Sequence, residues 1–341
     1  MQHKKKVTAI VVNWNGREFL PTCLSSLFNQ TYEELEVIVV DCASKDESVF
    51  FIKSNYPGAK VIELKKDLGP PYAINLACQK AQGEYILILN NDVFLPKDLI
   101  EKMVKELEKD KNCVLNPAEL SFEYKYSNSG CPSSYIGRFL YKIIKVKGDS
   151  PFSPSTACCL TTKDLILNNP LNENLFMYED AEWGWRLHLK KMKPKVLKKC
   201  YFLHHSSGSL EYPYSPKQAY YVGRATIATC FICFKIPTLL LMLPILFCNY
   251  LWQVLVYLKR KKFKSVLAYT KGYFAFFRKL GVFFKDRELI QKKREIKDRE
   301  VLKLMIASID FAKKAKVDWM EKEKAIKFSK DLVCLPVEVS R

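Results

Sequence analysis

The chain has 341 residues, 48% apolar and 27% charged, which excludes a disordered polymer and allows one large domain with appendages or two domains. Its 55 Lys/Arg against 36 Asp/Glu leave a net charge of +19, which points to nucleic acid, anionic lipid or phosphorylated substrates as partners. More than half of that excess sits late, because Lys259 to Glu300 holds 15 basic and 5 acidic residues, a net of +10.

Val7 to Val12 reads as a buried strand ending in the turn-forming cluster Asn13-Trp14-Asn15-Gly16, and Arg17 to Phe28 has a helical apolar period. Leu35 to Val40 is a second strand that runs into Asp41, followed by a short helix over Asp46 to Ser54. Lys60 to Leu64 is a third strand leading to Asp67-Leu68-Gly69, followed by a helix from Pro71 to Gln82 that carries Asn75. Tyr85 to Leu89 is a fourth strand, apolar throughout and so suited to burial on both faces, which runs straight into Asn90-Asn91-Asp92. Pro96 then opens a helix to about Lys109. Four β-α repeats predict a parallel sheet with right-handed crossovers, in which Asn13, Asn15, Asp41, Asp67 and Asp92 share the carboxyl edge where open α/β sheets bind ligands. Solvated turn chemistry explains any one of these residues equally well.

No GxGxxG follows the first strand and no GxxxxGK[ST] occurs, so a dinucleotide fingerprint and a P-loop are both missing. A carboxylate and a diphosphate repel unless a cation bridges them. Mg2+ or Mn2+, held by few carboxylates together with phosphate oxygens, is the usual solution.

Val7 to Gly16, Val39-Val40-Asp41-Cys42-Ala43-Ser44-Lys45-Asp46-Glu47-Ser48 and Leu89-Asn90-Asn91-Asp92 together resemble the opening strand, the VDNASxDGS segment and the LNND form of the DxD motif of family-2 glycosyltransferases with the GT-A fold. Rhamnosyltransferase-like members look closest. The resemblance implies that Asp92 holds Mg2+ or Mn2+ on a donor diphosphate and that Asp41 contacts the base or ribose. It implies that Val12, Asn13, Asn15, Asp67, Asn75, Asn90 and Asn91 complete the nucleotide-sugar pocket. Cys42 replaces the usual Asn, Asp67-Leu68-Gly69 replaces Asn-x-Gly, and Asn90 and Asn91 stand where many relatives carry a carboxylate.

Phe122 to Gly137 reads as a surface loop, and Ser155 to Thr161 as a strand. Glu179 to Met192 has a helical pattern, with Glu179, Asp180 and Glu182 in its first turn, where acids complement the helix dipole. One of them could equally remove the proton from an attacking hydroxyl. The segment resembles the family's ED-x-D-(x)n-R motif, which implies Asp180 as the base, Glu179 as the second candidate and Arg186 as the family Arg; Glu182 stands where relatives have Asp. His204-His205 opens a Ser/Gly-rich stretch to Ser209 that looks like the family's H-x-x-x-x-S element, so His204 would complete the metal or diphosphate site. Arg224 resembles a family Arg that often precedes Asn, where this chain has Ala225.

Pro237 to Leu258 is 22 residues without a charge, followed at once by Lys259-Arg260-Lys261-Lys262. That is long enough to cross a bilayer, but Pro244, Asn249 and Gln253 and the positive charge on both flanks favour shallow or re-entrant insertion over a span. Phe263 to Phe284 mixes aromatic and basic residues as an interfacial helix does, and Arg287 to about Lys330 reads as a solvated helical tail. Met1 to Lys6 lacks a signal peptide's apolar core, and the 12 scattered cysteines read as core thiols in a reducing compartment.

The expectation is a GT-A type α/β domain with a mostly parallel sheet over residues 1–235, a membrane-associated helical segment over 236–284 and a charged helical tail over 285–341. Its function would be inverting sugar transfer from a nucleotide-diphosphate donor (dTDP-rhamnose-like or a UDP-sugar) to a glycan or lipid-linked acceptor. The site would be the cytosolic face of an anionic membrane. No nucleic-acid partner is expected, because the basic excess adjoins the apolar segment. A sugar-nucleotidyltransferase and a non-catalytic, basic membrane-binding protein with a degenerate α/β domain are the alternatives.

Overall fold

The computed structural model describes residues 5–122, 126–128, 144, 146–205 and 215–328. Strand β1 (Val7–Asn13) is buried along almost its whole length and pairs in parallel with β2 (Leu35–Asp41) and β4 (Tyr85–Asn90), while β2 pairs in parallel with β3 (Ala59–Glu63). The connections are helices α1 (Leu20–Phe28), α2 (Ser48–Asn55) and α3 (Pro70–Lys80). Alternation along each strand sends Val7, Ala9, Val11, Leu87 and Leu89 into a core with α1 and α4 (Leu99–Leu107). Ile10, Ile38, Ile86 and Ile88 go into a second core with α3 on the opposite face. Both faces are therefore covered, which is why these strands read as unbroken apolar runs.

Beyond β4 the sheet is mixed. Its order is β3-β2-β1-β4-β8-β6-β9-β5, with β7 on the edge of β6. Here β5 is Val93–Phe94, β6 is Cys113–Leu120, β7 is Tyr126–Asn128, β8 is Cys158–Thr162 and β9 is Lys193–His204. Strand β8 runs antiparallel to β4 and β6, and β5 antiparallel to β9. Helices α5 (Lys163–Asn168) and α6 (Glu179–Leu189) cover this half. The loop expected over Phe122 to Gly137 falls largely outside the described residues, as does the Ser206 to Ser209 part of the His/Ser motif.

The C-terminal region consists of α7 (Pro216–Cys233), α8 (Ile236–Lys259), α9 (Phe263–Arg278), α10 (Leu280–Lys292) and α11 (Asp298–Phe328). The single helix expected over 263–284 is divided at Lys279, which caps α9 and opens α10. The stretch expected as a solvated tail is helical, but it buries Val301 and Met305 completely and joins a third core with Phe152, Trp185 of α6, Phe234, Leu246, Phe276 and Phe283. A charge-rich composition hid a regular apolar stripe at Val301, Met305 and Ile309.

Candidate active site at the carboxyl edge of the sheet

The ends of β1, β2 and β4 are joined by side-chain hydrogen bonds. Asn13 donates to Asp41 Oδ1 (2.8 Å) and accepts from Asn91 Nδ2 (2.7 Å), so it bridges the strand ends on either side of it. Asp41 also accepts from the Ser44 backbone N–H (2.9 Å) and the Ser44 hydroxyl (2.6 Å). Asn15 accepts from Lys45 N (2.7 Å), which locks the first loop to the second. The packing is close enough that Gly16 has no room for a side chain, since a Cβ there would stand 1.8 Å from Asn91 Nδ2. Of the five non-glycine residues with positive φ among the described residues, three flank this site: Asn15, Ala43 and Tyr178. Backbone of this kind persists where surrounding contacts over-determine it.

Val12 lies between Val40 and Asn90 in the sheet register, and Asn90 follows it at the edge. Asp67 accepts from Gly69 N (3.0 Å), and Gly69 takes a φ of 89° with Phe176 packed against it. Asn75 is placed differently from the strand-end residues. Its amide donates to Leu171 O and Glu173 Oε1 and accepts from Leu171 N, all at 2.9 Å, so it clamps the loop leading to α6. Cys42 is buried in the second core, where burial pushes its thiol up to about 12.

Asp92 follows β4 and meets β9. His204 Nε2 lies 3.1 Å from Asp92 Oδ1 and 3.3 Å from Asn90 Nδ2, while its Nδ1 lies 3.0 Å from Glu119 Oε1 on β6. Burial opposes a charge on His204, but the hydrogen bonds to the two carboxylates outweigh it and raise the imidazole to about 10. Asp92, His204 and Glu119 thus stand in line, with the imidazole between two acids. Among the described residues no three His, Cys, Asp or Glu side chains converge as a cage. The line still fits a divalent cation on a diphosphate, which needs few protein ligands. Neutral His204 would offer Nε2 beside the Asp92 carboxylate while Glu119 holds the Nδ1 proton, the arrangement that orients metal-bound imidazoles.

Helix α6 is entered through Tyr178, and its first turn brings Glu179 and Asp180 to the same edge. Glu179 accepts from the Thr156 hydroxyl (3.3 Å), and the neighbouring Ala157 carbonyl accepts from Asn90 N (3.1 Å). Burial, then the charge of Asp180, pushes the Glu179 carboxyl well above the ordinary range. Burial also raises Asp180, and the charge of Glu119 adds to it. Glu182, one turn on, is fully buried against Arg186 (2.7 Å), whose guanidinium also donates to Pro170 O. That pair braces the helix from within. Arg224 donates to Asn174 O (3.0 Å) and stacks near Tyr221, tying α7 to the loop before α6.

Sequence reading passed over two residues. Glu119 lay in a strand with no motif around it. Lys217, at the start of α7, holds its ammonium 4.4 Å from the Trp14 ring centroid, 5.2 Å from that of Phe176 and 3.8 Å from Asp67 Oδ2. Neither has a local signature, because what distinguishes each is a contact more than 80 residues away.

The parallel half-sheet, the mixed extension and the acidic strand end define a GT-A-like α/β fold. Residues 8–163 match the family model described as Glycosyl transferase family 2. The chain is 36% identical over 123 residues to the glycosyltransferase YwdF of Bacillus subtilis, covering 35% of this chain and 45% of that one. It is 29% identical over 115 residues to glycosyltransferase GlyG of Streptococcus pneumoniae, covering 32% and 38%. The chain thus spans less than half the length of these relatives. Among solved structures it is similar to S. aureus TarS 1-349 in complex with UDP-GlcNAc (TM-score 0.54, 18% identity, 94% of this chain and 91% of that one). It is also similar to the mannosyltransferase PcManGT from Pyrobaculum calidifontis in complex with GDP-Man and Mn2+ (TM-score 0.53, 16% identity, 96% and 89%). At these identities the likeness concerns the fold.

Proposed function

We propose that the chain is an inverting, metal-dependent glycosyltransferase that moves a hexose from a nucleoside-diphosphate sugar to a glycan or lipid-linked acceptor at the cytosolic face of a membrane. The observation that carries this reading is the meeting of the Asp92–His204–Glu119 line with the Glu179–Asp180 pair at one sheet edge. UDP-GlcNAc and GDP-Man are the donors bound by the two structural relatives. A dTDP-rhamnose-like donor remains the reading suggested by the motif resemblance.

Asp41, fixed by Asn13 and Ser44, would face the base or ribose, and Asn15, Asp67, Asn90 and Asn91 would line the pocket around the donor. Lys217 would lend a positive charge to the same edge. Asp92 and His204 would hold Mg2+ or Mn2+, which when bound neutralises diphosphate charge and favours its departure. Asp180 accepts the proton of the acceptor hydroxyl as that oxygen bonds to the anomeric carbon. The bond from that carbon to the diphosphate oxygen breaks on the opposite side, and the electron pair leaves with the nucleoside diphosphate. Attack opposite the leaving group inverts the configuration. A raised carboxyl suits this task, because a base works best with a pKa near the operating pH.

The test is thermal shift with a panel of nucleoside-diphosphate sugars in Mn2+ or Mg2+. A matching donor at about 100 times its Kd stabilises the native state by about 2.7 kcal/mol. A chain stabilised by no donor in either metal ends the proposal.

A further inference from the structure

Of the twenty large apolar side chains exposed among the described residues, sixteen lie between Ile236 and Leu289. They form outward stripes on three consecutive helices, including Leu241 and Trp252 on α8, Phe263 and Phe274 on α9, and Phe284 on α10. Monomeric soluble proteins rarely leave such a surface uncovered. From Ile236 to Lys285 the chain has nine Lys/Arg and no Asp/Glu. A groove at the seam of α8 and α10 adds Arg287 to Lys235, Lys285, Ile236 and Phe284, with Glu288 as the one acid in its lining. Apolar stripes framed by cations of one sign complement a bilayer surface bearing anionic headgroups.

Helix α8 has the length and mean hydropathy (2.0) of a membrane span. Its contacts place it otherwise. At its start Lys235 N donates to Asp298 Oδ2 (2.9 Å), and Arg287 donates to Phe234 O (2.6 Å). Its second half lies on α9, with the Tyr250 hydroxyl 2.9 Å from Thr270 Oγ1 and the Tyr257 ring 5.7 Å from Tyr269. Helix α9 in turn lies directly on α7, where a Cβ on Gly272 would stand 1.9 Å from Tyr220 O. Both ends of α8 are thus fastened to one body, and that body continues into the core containing Trp185 of α6. A helix whose two ends are held on the same side does not cross. Pro244 agrees, since it deprives the Leu240 carbonyl of its helical donor. Water and headgroups satisfy that carbonyl at an interface, whereas within hydrocarbon a neighbouring protein group has to do so.

We propose that the outer faces of α8, α9 and α10 form a platform that lies in the plane of a membrane, its apolar stripes in the headgroup boundary and its lysines and arginines on anionic lipid. This deepens the membrane placement proposed above and rests on it. The test uses the full chain with vesicles of phosphatidylcholine alone or mixed with phosphatidylglycerol. Binding is expected to the mixed vesicles and to weaken with salt. The charge reversals Lys259→Glu, Lys261→Glu and Lys264→Glu together should weaken it by about a hundredfold or more, at roughly fivefold per charge.

Depth is read by brominated-lipid quenching of a tryptophan introduced as Phe247→Trp or Leu258→Trp, each with Trp252→Phe. An in-plane helix places both at the same shallow depth. A span would separate these positions, eleven residues apart, by up to about 16 Å and would overturn the proposal. So would equal binding to neutral vesicles, or self-association of the chain with no vesicle binding. Donor-induced thermal shift on the same samples keeps the two readings apart: its loss with vesicle binding intact removes the glycosyltransferase reading, and the converse removes the platform.

Discussion

At the sheet edge the polar side chains hold one another. Asn13 bridges Asp41 and Asn91, His204 stands between Asp92 and Glu119, and Gly16 is pressed against Asn91. One layer away, α8 and α9 show the opposite habit. Their inner faces are ordered by tyrosine contacts, while Leu241, Trp252 and Phe263 project outward. The edge has the rigidity of a site built for one small, charged ligand. The platform has a broad surface on which no single contact dominates. Single substitutions should therefore be severe at the edge and mild on the platform, where several must be combined.

The largest effect expected at the edge is from Asp92→Ala. It removes the carboxylate proposed to hold the metal and should lower turnover about a thousandfold with the fold intact, taking a metal's contribution as several kcal/mol. Near-normal sugar transfer by the folded variant would show that the edge is not built around a cation. Asp180→Asn should bind donor yet lose about 10²–10⁴ in kcat. Because both acids of that pair are raised, wild-type activity should fall with acidification at a pH above the ordinary carboxylate range. A pH–rate profile flat down to pH 5 would argue against either acid as base.

Glu119→Gln tests whether orientation behind the imidazole matters. A weakening of Mn2+ affinity by about 10–100-fold is expected, read by titrating the metal in the donor-binding assay. Unchanged affinity would leave Glu119 a packing residue.

The smallest expected effect concerns stability rather than catalysis. His188 is buried, and burial lowers its imidazole to about 4, while its Nε2 lies 2.8 Å from Phe152 O. A group with a depressed folded pKa binds its proton more readily when unfolded, so stability is present above pH 6.5 and is lost as pH falls toward 4. Between pH 7 and 5.5 His188 should contribute a loss of about 1 kcal/mol, and His188→Gln should remove that contribution. A pH dependence of stability that is the same in the wild type and in His188→Gln would refute it.

How far the chain could be read without coordinates follows from how local each signal is. Buried parallel strands carry their evidence in consecutive residues, so β1, β2 and β4 with their polar ends at Asn13, Asp41 and Asp92 were legible. The mixed half was harder: β6 pairs with β8, β9 and the short β7, across separations that no periodicity reports. Asn75 shows one limit of local pattern, since nothing in its own stretch reports that its side chain braces residues 171–173. Glu119 and Lys217 show the complementary limit, for each is ordinary in its own neighbourhood. The apolar helix was visible as composition, but only the contacts at its two ends indicate how it lies.

Burial of the cysteines has a practical consequence. Nine of the ten described are buried, including Cys23, Cys78 and Cys230, whose thiols burial pushes up to about 12. Thiolates, not thiols, react with alkylating reagents. Cys248, exposed on the outer face of α8, is therefore a built-in label among the described residues. The rate at which a maleimide consumes it would report, in the unmodified chain, whether that face is covered.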